Sequence, residues 1–163
     1  MKHPQSSSDY ESLAEVRYQI RRFLHFSEQA ARDAGLEPQQ HQLMLALKGL
    51  PECTRPRVGE LAERLQIKHH SAVELINRLA AAGCVRRHQT NEDHREVLVA
   101  LTPNGEKILR KLSLHHRAEL RKRGPFLIAA LERAMATQNG RDSARASGRT
   151  KKKSEKRQTR VRR

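Results

Sequence analysis

The sequence has no tryptophan, and its two tyrosines and three phenylalanines bring aromatic residues to only 3%. A core must therefore come from Leu, Ile, Val and Ala, the usual filling of helical domains. The two cysteines, Cys53 and Cys84, form no CxxC pair, which excludes a disulfide framework. No apolar run approaches the ~20 residues of a membrane span. Residues 1–10 contain no apolar stretch, so no secretory leader is expected. These absences predict a cytoplasmic protein with no membrane partner. Acidic residues are also scarce, at 18 against 33 Lys+Arg, for a net charge of +15. Such an excess implies a polyanionic partner, and nucleic acid is favoured over a membrane surface.

The charge is unevenly placed. From Arg141 to Arg163 there are 11 basic and 2 acidic residues, which leaves the remaining chain still basic at +6. Residues 138–163 are Arg-, Lys-, Ser- and Gly-rich and read as a disordered basic tail, and residues 1–9 as a flexible N-terminus. Between them, periodicity organises one folded domain over residues 10–137. A long first helix carries Leu13, Val16, Ile20 and Ala31 and stops at Gly35. Pro38 opens a second helix with Leu43, Leu45, Ala46, Leu47 and Leu50 as its apolar content, although Glu37 before it is a poor N-cap. Val58, Leu61, Ala62 and Leu65 form the stripe of a short third helix. After the turn Gln66-Ile67-Lys68, a fourth helix runs from about His69 to Ala82 and ends at Gly83. Two strands follow, residues 84–90 and 96–102, with a polar tip between them. Thr102-Pro103 starts a long fifth helix, which Gly124-Pro125 is expected to break before a last apolar helix over residues 126–135.

The order helix, short helix, turn, helix, hairpin defines a fold class: mainly α with a small β-hairpin wing, a winged helix-turn-helix over residues 38–102. Residues 10–36 and 103–137 supply the flanking helices. The fourth helix carries the functional argument. At about 100° per residue, burying Ala72, Leu75, Ile76 and Leu79 turns His70, Ser71, Glu74, Asn77 and Arg78 outward. A helix ~10–12 Å across fits the DNA major groove, where Arg can fork onto guanine, Asn can pair with adenine and Glu can accept from cytosine. Lys68 and His69 stand at the helix N-terminus, where backbone N–H groups favour a phosphate. In the hairpin, Asp93 and Arg95 are two apart and share a strand face, so Asp93 can pin Arg95 for entry into a narrow minor groove. Glu74 facing phosphate would repel it, so it contacts a base or pairs with a neighbouring Arg.

The stretch from Val58 to Leu101 resembles the MarR family of regulators. The matching pieces are Gly59-Glu60-Leu61-Ala62-Glu63-Arg64-Leu65, Leu75-Ile76-Asn77-Arg78-Leu79, and Asp93-His94-Arg95 followed by Val97-Leu98-Val99-Ala100-Leu101-Thr102. The resemblance implies a homodimer paired through the first and last helices. It also implies a palindromic operator in double-stranded DNA, repression of transcription, and a small-molecule effector, for which phenolic acids are the first candidates. Asp93 and Arg95 match the family's wing pair, and His70, Ser71, Glu74 and Arg78 fall where the family reads the major groove. The chain departs from the family at Lys68-His69-His70, where a Ser-Pro-Ser-type start is commoner.

Four other readings compete with this one. A sequence-neutral architectural DNA protein would not need the outward base-reading set. A metal sensor would draw on His25, His41, His115 and His116, but no pair shows i, i+4 spacing with a carboxylate. A thiol sensor would need an activated cysteine. Cys53 lies near Arg55 and Arg57, and Cys84 reads as a small hydrophobe. An enzyme would need converging acids, a nucleophile or a metal centre, and the sequence supplies none. No cofactor is expected.

Overall fold

The computed structural model describes residues 7–89 and 97–158, with side chains described through residue 136. Five helices and two strands follow in the order α1 (Ser7–Asp33), α2 (Pro38–Lys48), α3 (Val58–Leu65), α4 (His69–Ala81), β1 (Val85–Gln89), β2 (Val97–Leu101) and α5 (Pro103–Gln158). The chain divides into two compact units. One comprises residues 24–120; the other comprises residues 1–23 and 121–163.

The unit of residues 24–120 holds the core and the winged helix-turn-helix. Leu43, Met44 and Leu47 of α2, Leu61 and Ala62 of α3, and Ala72, Leu75, Ile76 and Leu79 of α4 are buried. Val85 and Val99 of the hairpin and Leu109 and Leu112 of α5 join them. Burying each of the Leu, Ile, Val and Met side chains among them stabilises the fold by about 1.5–3 kcal/mol. The expected stripe of α4 is the one that is buried. In α2 the expectation needs correcting: Leu45 is exposed, and Met44 is buried in its place. The inward side of α2 is set by His41, Met44 and Leu47, a three-residue rhythm that puts Leu45 on the opposite side.

Three helix ends share one device. Leu36 N–H donates to Ala31 O, Ile67 N–H to Ala62 O and Cys84 N–H to Leu79 O, at 2.8–3.0 Å. Each closes the last turn in the pattern that needs a left-handed residue just before the donor. Gly35 and Gly83 fill that position with φ of 77° and 65°. Gln66 fills it after α3 with φ 56°, which a non-glycine residue adopts only at a cost. The turn between α3 and α4 is thus fixed by backbone geometry, and it sets the angle at which α4 is presented.

The hairpin is antiparallel, with Val85 opposite Leu101, Arg87 opposite Val99 and Gln89 opposite Val97. A third segment joins it: Arg57 bridges to Leu98, and Val99 N–H donates to Pro56 O at 3.0 Å. This accounts for the apolar character of β2 on both sides, since Leu98 and Val99 are both buried.

Thr102 caps α5 and ties it to the end of α4. Its Oγ accepts from Gly105 N–H at 3.0 Å and donates to Gly83 O at 2.6 Å. Thr102→Ala loses both bonds. It should destabilise the protein by about 1–2 kcal/mol, read as a lower urea midpoint with an unchanged slope.

Two boundaries differ from the sequence reading. Helix α1 begins at Ser7 rather than after residue 9, with Asp9 in its first turn, where a negative charge suits the helix dipole. Helix α5 does not break at Gly124-Pro125; Pro125 lies inside it. An internal proline removes one hydrogen bond and costs about 3 kcal/mol in a fully bonded helix. Here Pro125 is exposed, and although Gly124 precedes it, good helix formers lie just beyond on both sides, Lys122 and Arg123 before and Leu127, Ala129 and Ala130 after. The backbone of α5 continues to Gln158, across residues read from sequence as a tail.

Candidate nucleic-acid interface

The candidate surface is built on α4. Lys68 precedes the helix in extended conformation, with φ −69° and ψ 148°, and leaves the first backbone N–H groups of α4 without a side-chain cap. Ala72, Leu75, Ile76 and Leu79 anchor one side, at 0–5% exposure. On the opposite side Lys68, His69, His70, Glu74, Asn77 and Arg78 are exposed, and Ser71 is half-buried. The structure therefore brings together seven of the nine residues singled out from sequence. The other two, Asp93 and Arg95, lie outside the described residues.

Arg78 has two carboxylate partners, one of which sequence reasoning did not supply. Its Nη2 donates to Glu74 Oε1 at 2.7 Å, one helical turn away. Its Nη1 donates to the Glu37 carboxylate, at 3.2 Å to Oε2 and 3.5 Å to Oε1. The Glu74 hydrogen bond and charge, with the Glu37 charge added, hold the guanidinium above its ordinary pKa. Glu74 thus pairs with an arginine, one of the two roles expected for it. Glu37 lies on another element, and no local spacing announces it.

Beside the N-terminus of α4 is an open cleft of about 870 Å³. Arg55, Arg57, Thr54, Cys53 and Gly59 line it together with His69 and Val97. Arg55 and Arg57 outnumber the one carboxylate of the lining, Glu60, and with the start of α4 they make a surface suited to phosphate. The basic pair before α3 was the available signal. Across the hairpin, Arg86, Arg87, His88 and Gln89 of β1 are all exposed, and Arg87 Nη2 donates to Val73 O at 3.4 Å. That bond ties the strand to α4.

The cysteines and histidines sort clearly. Cys53 is exposed at the cleft, whereas Cys84 is buried, and burial pushes its thiol pKa up, away from the reactive thiolate. Of the four histidines considered as a cluster, His25 and His115 are exposed and only His41 and His116 meet. Their rings stack with centroids 4.8 Å apart, and His116 also bonds Leu112 O and Ser27 Oγ at 2.7 Å each. Among the described residues no group of three or more His, Cys, Asp or Glu could hold a metal ion. A smaller cavity of about 190 Å³ is lined by Phe26, Ala30, Asp33, Lys111, Leu112 and His115 between α1 and α5.

This arrangement of a buried supporting stripe, an exposed polar helix side and a hairpin beside it can be compared with known proteins. Residues 34–96 match the MarR family. Over this segment the chain is similar to MarR family regulators. The segment runs from α2 through β1 and ends just before β2. The chain is 30% identical over 84 residues to YfiV, an HTH-type transcriptional regulator of Bacillus subtilis, an alignment covering 52% of this chain and 51% of that protein. The chain thus spans about half the length of that relative. Among solved structures it is similar to AbsC, a MarR family transcriptional regulator from Streptomyces coelicolor. The TM-score is 0.66 and identity 22%, over 89% of this chain and 99% of that one. It is also similar to a mutant S. aureus MepR bound to an oligodeoxyribonucleotide, with TM-score 0.53 and 16% identity, over 89% and 96% of the two chains. These structural likenesses establish the MarR winged helix-turn-helix fold for the chain. Among the described residues no helix is long and apolar enough to cross a membrane.

Proposed function

We propose that the chain is a transcription regulator that binds double-stranded DNA with sequence preference, as a homodimer, through α4 in the major groove. The observation that carries this reading is the exposed polar side of α4 lying opposite its buried stripe. Asn77 and Arg78 read base edges, while Lys68, His69 and His70 stand at the helix start facing the backbone. The wing pair Asp93 and Arg95 reaches the minor groove. The MepR structure with a bound oligodeoxyribonucleotide supports the mode of docking by likeness of fold.

Pairing with a second copy is supported by apolar residues left uncovered. On α1, Tyr10, Leu13, Tyr18 and Ile20 are 41–60% exposed; on α5, Phe126, Ile128, Leu131 and Met135 are 40–61% exposed. Monomers seldom leave so many large apolar groups in water. A two-fold dimer would address a palindromic operator with half-sites about one helical turn apart. Repression follows if that operator overlaps a promoter. The effector is supported by family resemblance; the 190 Å³ cavity between α1 and α5 is smaller than the usual ~300–1,000 Å³ ligand site. The basic run from Arg141 to Arg163 adds non-specific phosphate contact that speeds operator search.

The test is a set of fluorescence-anisotropy titrations on a duplex enriched by the protein from a random pool and on a scrambled duplex. Arg95→Ala should weaken both by a similar factor. Asn77→Ala and Arg78→Ala should weaken the enriched duplex selectively, by about 1–3 kcal/mol each. Equal losses on both duplexes for all three variants would remove the base-reading assignment of α4.

A further inference from the structure

The Glu37 carboxylate stands on the DNA-facing side without belonging to the helix-turn-helix. Glu37 precedes α2, and its backbone is held in two ways. Pro38 restricts it to the extended region, where it sits at φ −70° and ψ 148°. Its N–H donates to the side chain of Gln40 at 2.9 Å. From this fixed point its carboxylate reaches Arg78, 41 residues later, while Glu74 holds the same guanidinium from one turn away. Both ion pairs are half-exposed or more, so they add little to stability. Their effect is on where Arg78 points and on the charge around it.

We propose that Glu37 is a positioning residue that sets the base preference of the interface by holding Arg78 against Glu74. This rests on the DNA-binding reading of α4. Two physical consequences follow. A guanidinium held from two directions has given up part of its rotamer freedom before DNA arrives, so it meets a base edge at smaller further cost. Two carboxylates around one guanidinium also leave a local charge of −1, which repels phosphate. Backbone contact by Arg78 at a wrong register is therefore disfavoured, a repulsive element that raises discrimination. Without Glu37, Arg78 swings freely and can take any nearby phosphate.

The experiment uses the full chain, wild type and Glu37→Gln, each also in an Arg78→Ala background. Each is titrated with a duplex enriched by the wild type and with a scrambled duplex, and selection from the random pool is repeated with Glu37→Gln. Glu37→Gln should tighten the scrambled duplex about threefold. It should leave the enriched duplex unchanged or weaker, and broaden base preference at one position of each half-site. In the Arg78→Ala background the same change should leave the ratio of the two affinities where it was. The proposal is overturned if Glu37→Gln tightens both duplexes equally, alters neither, or shifts their ratio as much without Arg78 as with it. Wild-type protein with no preference for any duplex would remove the DNA reading and this inference together. Wild-type preference that Glu37→Gln does not touch would remove this inference alone.

Discussion

Gly105→Ala should destabilise the protein by about 3 kcal/mol, against the usual trend for glycine in a helix. In the first turn of an ordinary helix the change would gain at most about 1 kcal/mol of propensity. Here the new Cβ would fall onto the Cys84 carbonyl oxygen and lie 2.9 Å from the Cys84 carbonyl carbon. Neither side can yield cheaply, because both are backbone and both are bonded. Cys84 O accepts from Thr102 N–H at 3.0 Å, and Gly105 N–H donates to the Thr102 hydroxyl. Relieving the overlap means pulling α5 away from the start of β1, which breaks the Thr102 cap and opens the core around Leu109 and Val85. The clash therefore exceeds the propensity gain. Urea unfolding of wild type and Gly105→Ala, followed by circular dichroism, checks it; equal or higher stability of the variant would mean that α5 does not start against Cys84.

Acidification should weaken the fold through His41. Its ring is 3% exposed and faces the ring of His116. Burial first, and the His116 charge second, push its pKa down from 6.5 to about 4. Above pH 6.5 the ring is neutral in both folded and unfolded chains and contributes no pH dependence. Between 6.5 and about 4 the unfolded chain takes up a proton that the folded chain refuses, so stability falls as pH falls. The slope is about 1.4 kcal/mol per pH unit, and the full effect is about 3 kcal/mol. His41→Phe keeps a ring against His116 and removes the titration. Between pH 7 and pH 5, wild type should lose about 2 kcal/mol more than His41→Phe. Identical losses would show that His41 titrates normally in the folded protein.

How much of this could be read beforehand depends on the range of each interaction. The inward stripe of α4 and its outward set follow from spacing within one helix, and the structure places both as the periodicity predicts. The hairpin was equally legible, because Gly83 and Thr102-Pro103 bracket it with local signals. The second strand reads as apolar on both sides, but its reason, the Pro56–Arg57 segment lying along it, is non-local. The apolar content read for α2, Leu43, Leu45, Ala46, Leu47 and Leu50, did not pick out one inward side; burial of His41, Leu43, Met44 and Leu47 turns Leu45 outward. The expected break at Gly124-Pro125 weighed two adjacent helix breakers above the helix formers beyond them, Lys122 and Arg123 before and Leu127, Ala129 and Ala130 after. The Glu37–Arg78 pair could not be read at all. It joins residues 41 positions apart, and only the packing of α2 against α4 brings them within bonding distance.

The central claim is that the exposed side of α4 reads sequence in duplex DNA. Selection from a random duplex pool by the full chain, with Asn77→Ala run in parallel, tests it most directly. The wild type should enrich a two-fold symmetric motif with half-sites spaced by about 10 base pairs, and Asn77→Ala should change the base favoured at one position in each half. A pool that stays unenriched, or a motif that Asn77→Ala leaves identical, would contradict it.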